Sequence, residues 1–96
     1  MKVVISQKAD ADLLRIFSHL SERNPLAAED LVHAVDRKFE QLTRFPFIGR
    51  ERTTLCSGLR SVIVGNYLVF YLVSGEDIAI VRVIDGRMDI DEEFQR

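Results

Sequence analysis

Along this chain the spacing of apolar residues passes from a strand-like run to a helical period and back to strands. Lys2-Val3-Val4-Ile5 is a short β-rich run that stops at Ser6, a residue suited to cap a helix. Beyond it Ala9, Leu13, Ile16, Phe17 and Leu20 recur at helical spacing, with Asp10, Asp12, Arg15 and Glu22 between them. Asn24-Pro25 ends this helix and opens the next, with Asn24 as N-cap and Pro25 in the first helical position. Leu31, Val32, Val35, Phe39 and Leu42 then form a second stripe that runs to about Phe45. Two amphipathic helices joined by one tight turn make an antiparallel hairpin, and its stripes need a sheet to cover them.

The sheet is expected downstream. Phe45-Pro46-Phe47-Ile48-Gly49 breaks the helix, because Pro46 disfavours a helical residue before it. Leu59–Val64, Tyr67–Val73 and Asp77–Ile84 read as three strands, separated by Gly65-Asn66 and Ser74-Gly75-Glu76, both short enough for hairpin turns. The run Tyr67–Val73 is apolar on both faces, as a central strand requires. Asp89 is placed to cap a brief last helix, Ile90–Gln95. The fold class is therefore α+β: an N-terminal strand and an α-helical hairpin packed on an antiparallel sheet, in the order β-α-α-β-β-β, with a short C-terminal helix. Residues 1–96 form a single domain.

Composition narrows the function classes. The chain has 96 residues, 47% of them hydrophobic and 29% charged, enough for one core of its own. A net charge of −2 supplies no general attraction for nucleic acid, and no direct sequence-specific DNA binding is expected. Cys56 is the one cysteine, so neither an intrachain disulfide nor a cysteine metal cluster can form. The N-terminus is charged too early for a signal peptide, and no apolar run approaches the ~18 residues of a membrane span. A cytoplasmic protein without membrane contact is expected.

Arginine carries the distinctive chemistry. From Arg44 to Arg87 there are six arginines, no lysine and four acids, a composition that favours bidentate contacts over diffuse attraction. By period two, Ile78, Ile80, Arg82 and Ile84 share one face of the last strand, which places Arg82 on an apolar side. It is expected to pair with a carboxylate or backbone carbonyls, or to face an anion or a partner in a groove, and both can hold, since a partner's carboxylate or phosphate could take over the pairing. Arg60 is placed similarly at the start of its strand, while Arg44, Arg50 and Arg52 read as solvated loop residues.

Hydrolytic chemistry is poorly supplied. His19 and His33 lie on the helices, far in sequence from the arginines, and are expected at the surface. Cys56 has no evident base beside it and is expected to be a semi-buried, inert thiol. Asp85, Asp89 and Asp91 could form a hard-metal set, but carboxylates on a turn and a helix start more commonly cap or face water. Tyr67 and Tyr71 share a strand face, and a phenol with its ordinary pKa of about 10 needs strong tuning to act at neutral pH. No phosphate loop or dinucleotide fingerprint is present, and no cofactor is expected.

Five pieces in fixed order carry a resemblance: the helix–Asn24-Pro25–helix unit, Phe45-Pro46-x-x-Gly49-Arg50, Gly58-Leu59-Arg60-Ser61, Tyr67-x-x-Phe70-Tyr71, and Ile80-Val81-Arg82-Val83-Ile84-x-Gly86-Arg87-x-Asp89. Together they resemble the ParE branch of the RelE/ParE toxins over almost the whole chain. The resemblance implies the toxin half of a type II toxin–antitoxin pair, acting by binding DNA gyrase rather than by catalysis and held inactive by a ParD-like antitoxin. It marks Arg60, Arg82, Asp85, Arg87, Met88 and Asp89 as candidates for contact with target or antitoxin, with no catalytic or metal-binding residue. Asp85 and Met88 depart from the pattern, standing where the family commonly has a histidine and a second arginine. The alternatives are a ribosome-dependent mRNA endonuclease of the RelE type, or a toxin of decayed activity kept for antitoxin binding and operon control. RelE-type proteins typically carry an arginine near the position of Leu68 and a proton-handling tyrosine or histidine at the tail, where this chain has Phe94.

Overall fold

A computed structural model describes residues 1–96. Strand β1 (Lys2–Ile5) leads into helix α1 (Gln7–Arg23), which Ser6 caps by accepting the Ala9 N–H at 3.0 Å. Asn24 accepts the Ala27 N–H at 3.1 Å and opens α2 (Pro25–Arg44), completing the expected hairpin. The strands that follow are β2 (Arg50–Glu51), β3 (Arg60–Val64), β4 (Tyr67–Ser74) and β5 (Asp77–Asp85). Helix α3 (Ile90–Phe94) closes the chain, capped by Asp89 as expected. The class is α+β, with the helical hairpin on one side of a five-stranded sheet ordered β1-β5-β4-β3-β2.

The sheet is mixed rather than antiparallel. The meander β3-β4-β5 is antiparallel, but β1 lies beside β5 and runs parallel to it, from Lys2 opposite Asp77 to Ile5 opposite Ile80. An alternating or apolar run fixes which face a strand buries, not the direction of its neighbour, so strand direction was open until the chain closed on itself. The two-residue β2 was not expected; it pairs with Arg60 and Ser61 at the start of β3.

Strand β4 sits at the centre, and its two apolar faces serve two cores. Val69 and Tyr71 join Leu13, Val35, Leu42, Val62 and Ile80 beneath the hairpin. Phe70, on the opposite face, packs with Leu59 and Ile84, and α3 covers them with Ile90 and Phe94. The Phe94 ring meets Phe70 edge-on, with centroids 5.3 Å apart.

A β-bulge in β5 corrects the expected face of Arg82. Tyr71 pairs with Ile80 while the next residue back, Phe70, pairs with Arg82, so Val81 is the extra residue. An inserted residue reverses the alternation beyond it. Ile78, Ile80 and Val83 face the hairpin, whereas Ile84 belongs to the core under α3. Arg82 and Ile84 therefore do not share a face with Ile78 and Ile80. The Ser6 hydroxyl donates to the Val81 carbonyl at 3.0 Å, tying the end of β1 to the bulge.

The loop before β2 is held by Tyr71. Its hydroxyl donates to the Pro46 carbonyl at 2.8 Å and accepts the Gly49 N–H at 2.9 Å. Burial pushes this phenol above its ordinary pKa despite the Gly49 hydrogen bond and the nearby Arg60 charge. A side chain at residue 49 would begin 2.5 Å from the Tyr71 oxygen and 2.9 Å from the Ser61 carbonyl oxygen, so only glycine fits. No helix is long and apolar enough to cross a membrane.

Candidate functional site

Where β5 ends, the chain turns through Gly86–Asp89 into α3 and leaves a cleft of about 280 Å³ against α1. Arg15, Ile16 and His19 of α1 form one wall, and Tyr67 of β4 lies at the start of the sheet. Residues 82–85, Met88 and Glu93 complete it.

Arg82 is committed to an internal pair at the base of this cleft. Its Nε and Nη2 donate to the two carboxylate oxygens of Asp12 at 2.8 and 3.1 Å, and Nη1 donates to the Glu93 carbonyl at 2.8 Å. Asp12 also accepts the Val83 N–H at 2.9 Å and Arg15 at 3.1 Å. Burial alone would raise the Asp12 pKa, but the hydrogen bonds from Arg82 and Val83, with the charge of Arg82 and a further bond from Arg15, outweigh it and hold the carboxyl below its ordinary range. The hydrogen bond that Arg82 donates to Asp12 correspondingly raises the arginine's own pKa. Of the two roles expected for this arginine, the structure places it in the first, paired to a carboxylate and a carbonyl. One guanidinium thereby joins α1, β5 and α3.

Asp85 and Arg87 form a second pair at the rim. Asp85 accepts the Arg87 backbone N–H at 2.9 Å, Nε at 3.0 Å and Nη2 at 2.6 Å. These hydrogen bonds from Arg87 lower the Asp85 pKa and raise that of Arg87. Unlike Arg82, the Arg87 side chain is 72% exposed, and Met88 beside it is also exposed. Asp89 is occupied in capping α3, where it accepts the Glu92 N–H at 3.2 Å.

Arg60 lies elsewhere. Its Nη1 donates to the carbonyls of Phe47 and Gly49 at 3.0 and 2.9 Å, its Nη2 reaches Glu51 at 3.3 Å, and its guanidinium sits 5.3 Å from the Phe47 ring centre. It braces the loop before β2. The structure thus brings Arg82, Asp85 and Met88 around one cleft, holds Arg87 beside it through Asp85, sets Asp89 at the start of α3 and leaves Arg60 apart.

Some residues of the cleft escaped the sequence reading. Asp12 was placed among the polar positions of α1, yet it is 2% exposed. Its spacing from Ala9, Leu13 and Ile16 puts it within the apolar stripe, a signal available in the sequence. His19 is exposed, as expected, and although it is far in sequence from Arg82 it lines the same cleft, because α1 packs along β5. Its Nε2 is 3.2 Å from Arg23 Nη1. His33 is exposed on α2. Cys56 is exposed rather than semi-buried: it lies in the turn-rich connection to β3, outside both cores. No group of three or more His, Cys, Asp and Glu side chains is arranged to hold a metal, so Asp85, Asp89 and Asp91 do not converge on one point.

With this geometry established, similarity to known proteins defines the class. Residues 3–90 match the ParE toxin of the type II toxin–antitoxin system parDE. The chain belongs to the ParE toxin family. Toxin ParE3 of Caulobacter vibrioides is 34% identical over 90 residues, spanning 93% of this chain and 90% of that protein. Toxin ParE1 of Mycobacterium tuberculosis is 40% identical over 66 residues, 68% of this chain and 63% of the relative. A chain of the chromosomal ParDE TA system from P. aeruginosa shares the fold, with a TM-score of 0.73 at 24% identity over 88% of this chain and 95% of that one.

Proposed function

We propose that this ParE-family toxin inhibits DNA gyrase by binding it, without catalysis of its own, and is neutralised by a ParD-type antitoxin. The observation that carries the binding reading is the contrast among the candidate arginines. Arg82 and Arg60 are satisfied by internal carboxylate and carbonyl groups, and Arg87 is the one presented to solvent, beside the exposed Met88. A nuclease mechanism would draw on Arg60, Arg82 and Arg87 together to stabilise charge developing on phosphate. Here they do not converge. A protruding arginine next to a flexible thioether instead suits docking against a protein surface, where arginine and methionine are enriched.

A gyrase supercoiling and cleavage assay with the purified protein tests the proposal. Loss of supercoiling or accumulation of cleaved DNA is expected, while mRNA added to a translation reaction stays intact. Normal supercoiling at a large excess of folded toxin would sink the gyrase reading. In-frame cuts in mRNA would replace it with the nuclease. Normal growth of cells making folded toxin without antitoxin would favour decayed activity. For the pair itself, co-expression with a ParD-type antitoxin should yield a complex and restore growth.

A further inference from the structure

The α1 wall of the cleft beside β5 is cationic and short of partners. Arg15, His19 and Arg23 stand four residues apart and so line up along one flank of the helix. Arg15 donates to Asp12 through Nη2 alone, at 3.1 Å. That carboxylate is already held by Arg82 at both oxygens and by the Val83 N–H, so one negative charge serves two guanidiniums. Arg23 can only donate, so the His19 Nε2 accepts from it at 3.2 Å, and the neutral ring carries its proton on Nδ1 as a further donor. All three side chains belong to exposed residues.

The far wall does not supply the missing charge. Asp85 is taken up by Arg87 through three hydrogen bonds, and Glu93 reaches Arg96 at 3.8 Å. Between the walls the floor carries Ile16, Val83 and Ile84, an apolar surface against which a salt bridge is less screened than in open water. The volume of about 280 Å³ admits a side chain from outside. A surface seated on Arg87 and Met88 lies across the mouth, because Met88 and the aspartate that clamps Arg87 both line the cleft. The charge pattern also selects the visitor. Asp85 and Glu93 repel the dense charge of a nucleic-acid backbone, whereas a single carboxylate can sit against α1 and keep clear of them.

We propose that Arg15 and His19 are a second contact point for the target, taking up a carboxylate side chain of the gyrase surface that docks on Arg87 and Met88. The proposal rests on the gyrase reading above and names the chemistry recognised beside the exposed arginine. The incoming carboxylate accepts from the spare donors of Arg15 and from the His19 ring, while Arg82 stays with Asp12. Arg15 and His19 thereby determine which protein surface fits, since a partner without an acid at this point leaves their charge uncompensated as the cleft closes.

Equilibrium binding of the full-length toxin to DNA-bound gyrase tests this, with binding to a ParD-type antitoxin measured in parallel. Arg15→Ala should weaken gyrase binding about fivefold to tenfold and His19→Ala about threefold, while the reversal Arg15→Glu should cost more than about tenfold. Arg15→Lys and His19→Gln, which keep a donor, should each recover part of the loss. Binding by Arg15→Ala should also depend less on salt than binding by the wild type. Urea midpoints and antitoxin binding should stay near wild type, because Asp12 keeps Arg82 and the Val83 N–H. Should Arg15→Glu lower the midpoint by crowding Asp12, the double variant Arg15→Ala with His19→Ala decides instead. Wild-type affinity for gyrase in the deciding variant overturns the proposal and leaves the gyrase reading standing. Failure of the wild-type toxin to bind gyrase removes both. Loss of antitoxin binding with gyrase binding intact assigns the cleft to the antitoxin and likewise overturns the proposal.

Discussion

Two aspartate–arginine pairs meet β5 three residues apart, and they do different things. Asp12–Arg82 joins helix to strand with side chains 3% and 9% exposed; Asp85–Arg87 closes a turn with side chains 22% and 72% exposed. Their hydrogen-bond distances are similar, the shortest being 2.8 Å in the buried pair and 2.6 Å at the rim. Distance therefore does not separate structural from available charge. Surroundings do: removing one member of the buried pair strands a charge in the protein interior, whereas at the rim water replaces the lost partner. The buried arginine is also bound to the α3 backbone, while the guanidinium of the exposed one is held by a single aspartate.

The sharpest way to break this comparison is Asp12→Ala. It leaves Arg82 without its carboxylate and the Val83 N–H without an acceptor, and should cost about 3–5 kcal/mol in chemical denaturation. The double change Asp12→Leu with Arg82→Met removes both charges and should recover part of that loss. About 1–3 kcal/mol remains, since the Val83 N–H and the Glu93 carbonyl are left unpaired. If the double variant is no more stable than Asp12→Ala, uncompensated charge is not what makes the pair matter.

Acid titration probes the same pair more gently. Because the folded Asp12 pKa is depressed, its contribution is complete above the unfolded carboxylate value of about 3.9 and drains as pH falls through the lower folded value. Urea midpoints from pH 7 to pH 2 should fall along that limb in the wild type and less steeply in Asp12→Asn. Equal slopes would contradict the assignment. Asp85 is depressed as well, but its exposure makes its share of the slope the smaller one.

At the rim the effects move from stability to activity. Arg87→Ala should leave the unfolding midpoint in place while reducing growth inhibition and gyrase inhibition. A variant that unfolds more easily yet stays fully toxic would reverse the roles assigned to the two pairs. The smallest effect is expected from Asp85→Asn, which weakens the clamp on Arg87 and should modestly raise toxicity at equal expression. Unchanged or lower toxicity would show that Asp85 orients Arg87 rather than restraining it.

Much of the fold was legible because local rules and tertiary packing agree. Ser6, Asn24 and Asp89 cap the helices where their side chains promise, Pro25 opens α2, and the two-sided apolar run Tyr67–Val73 lies at the centre of the sheet. The closing segment was legible as a candidate site because Arg82 interrupts an apolar strand and Arg87 follows a glycine turn. Its internal division was not. Arg82 and Arg87 are the same residue type, and burial against α1 and α3 separates them.

What the sequence alone determined is what depends on neighbours along the chain: helix boundaries, hairpin turns, the apolar stripes and the family pattern from Asn24-Pro25 to Asp89. The tertiary structure decided what depends on residues far apart in sequence. The parallel seat of β1 beside β5, the bulge at Val81 that turns Ile84 to the other core, and the choice of Asp12 as partner for Arg82 are of this kind. The first and the last require segments about seventy or more residues apart to meet, and the bulge within the β4–β5 hairpin is tied to the end of β1 by Ser6; local periodicity carries no record of such contacts.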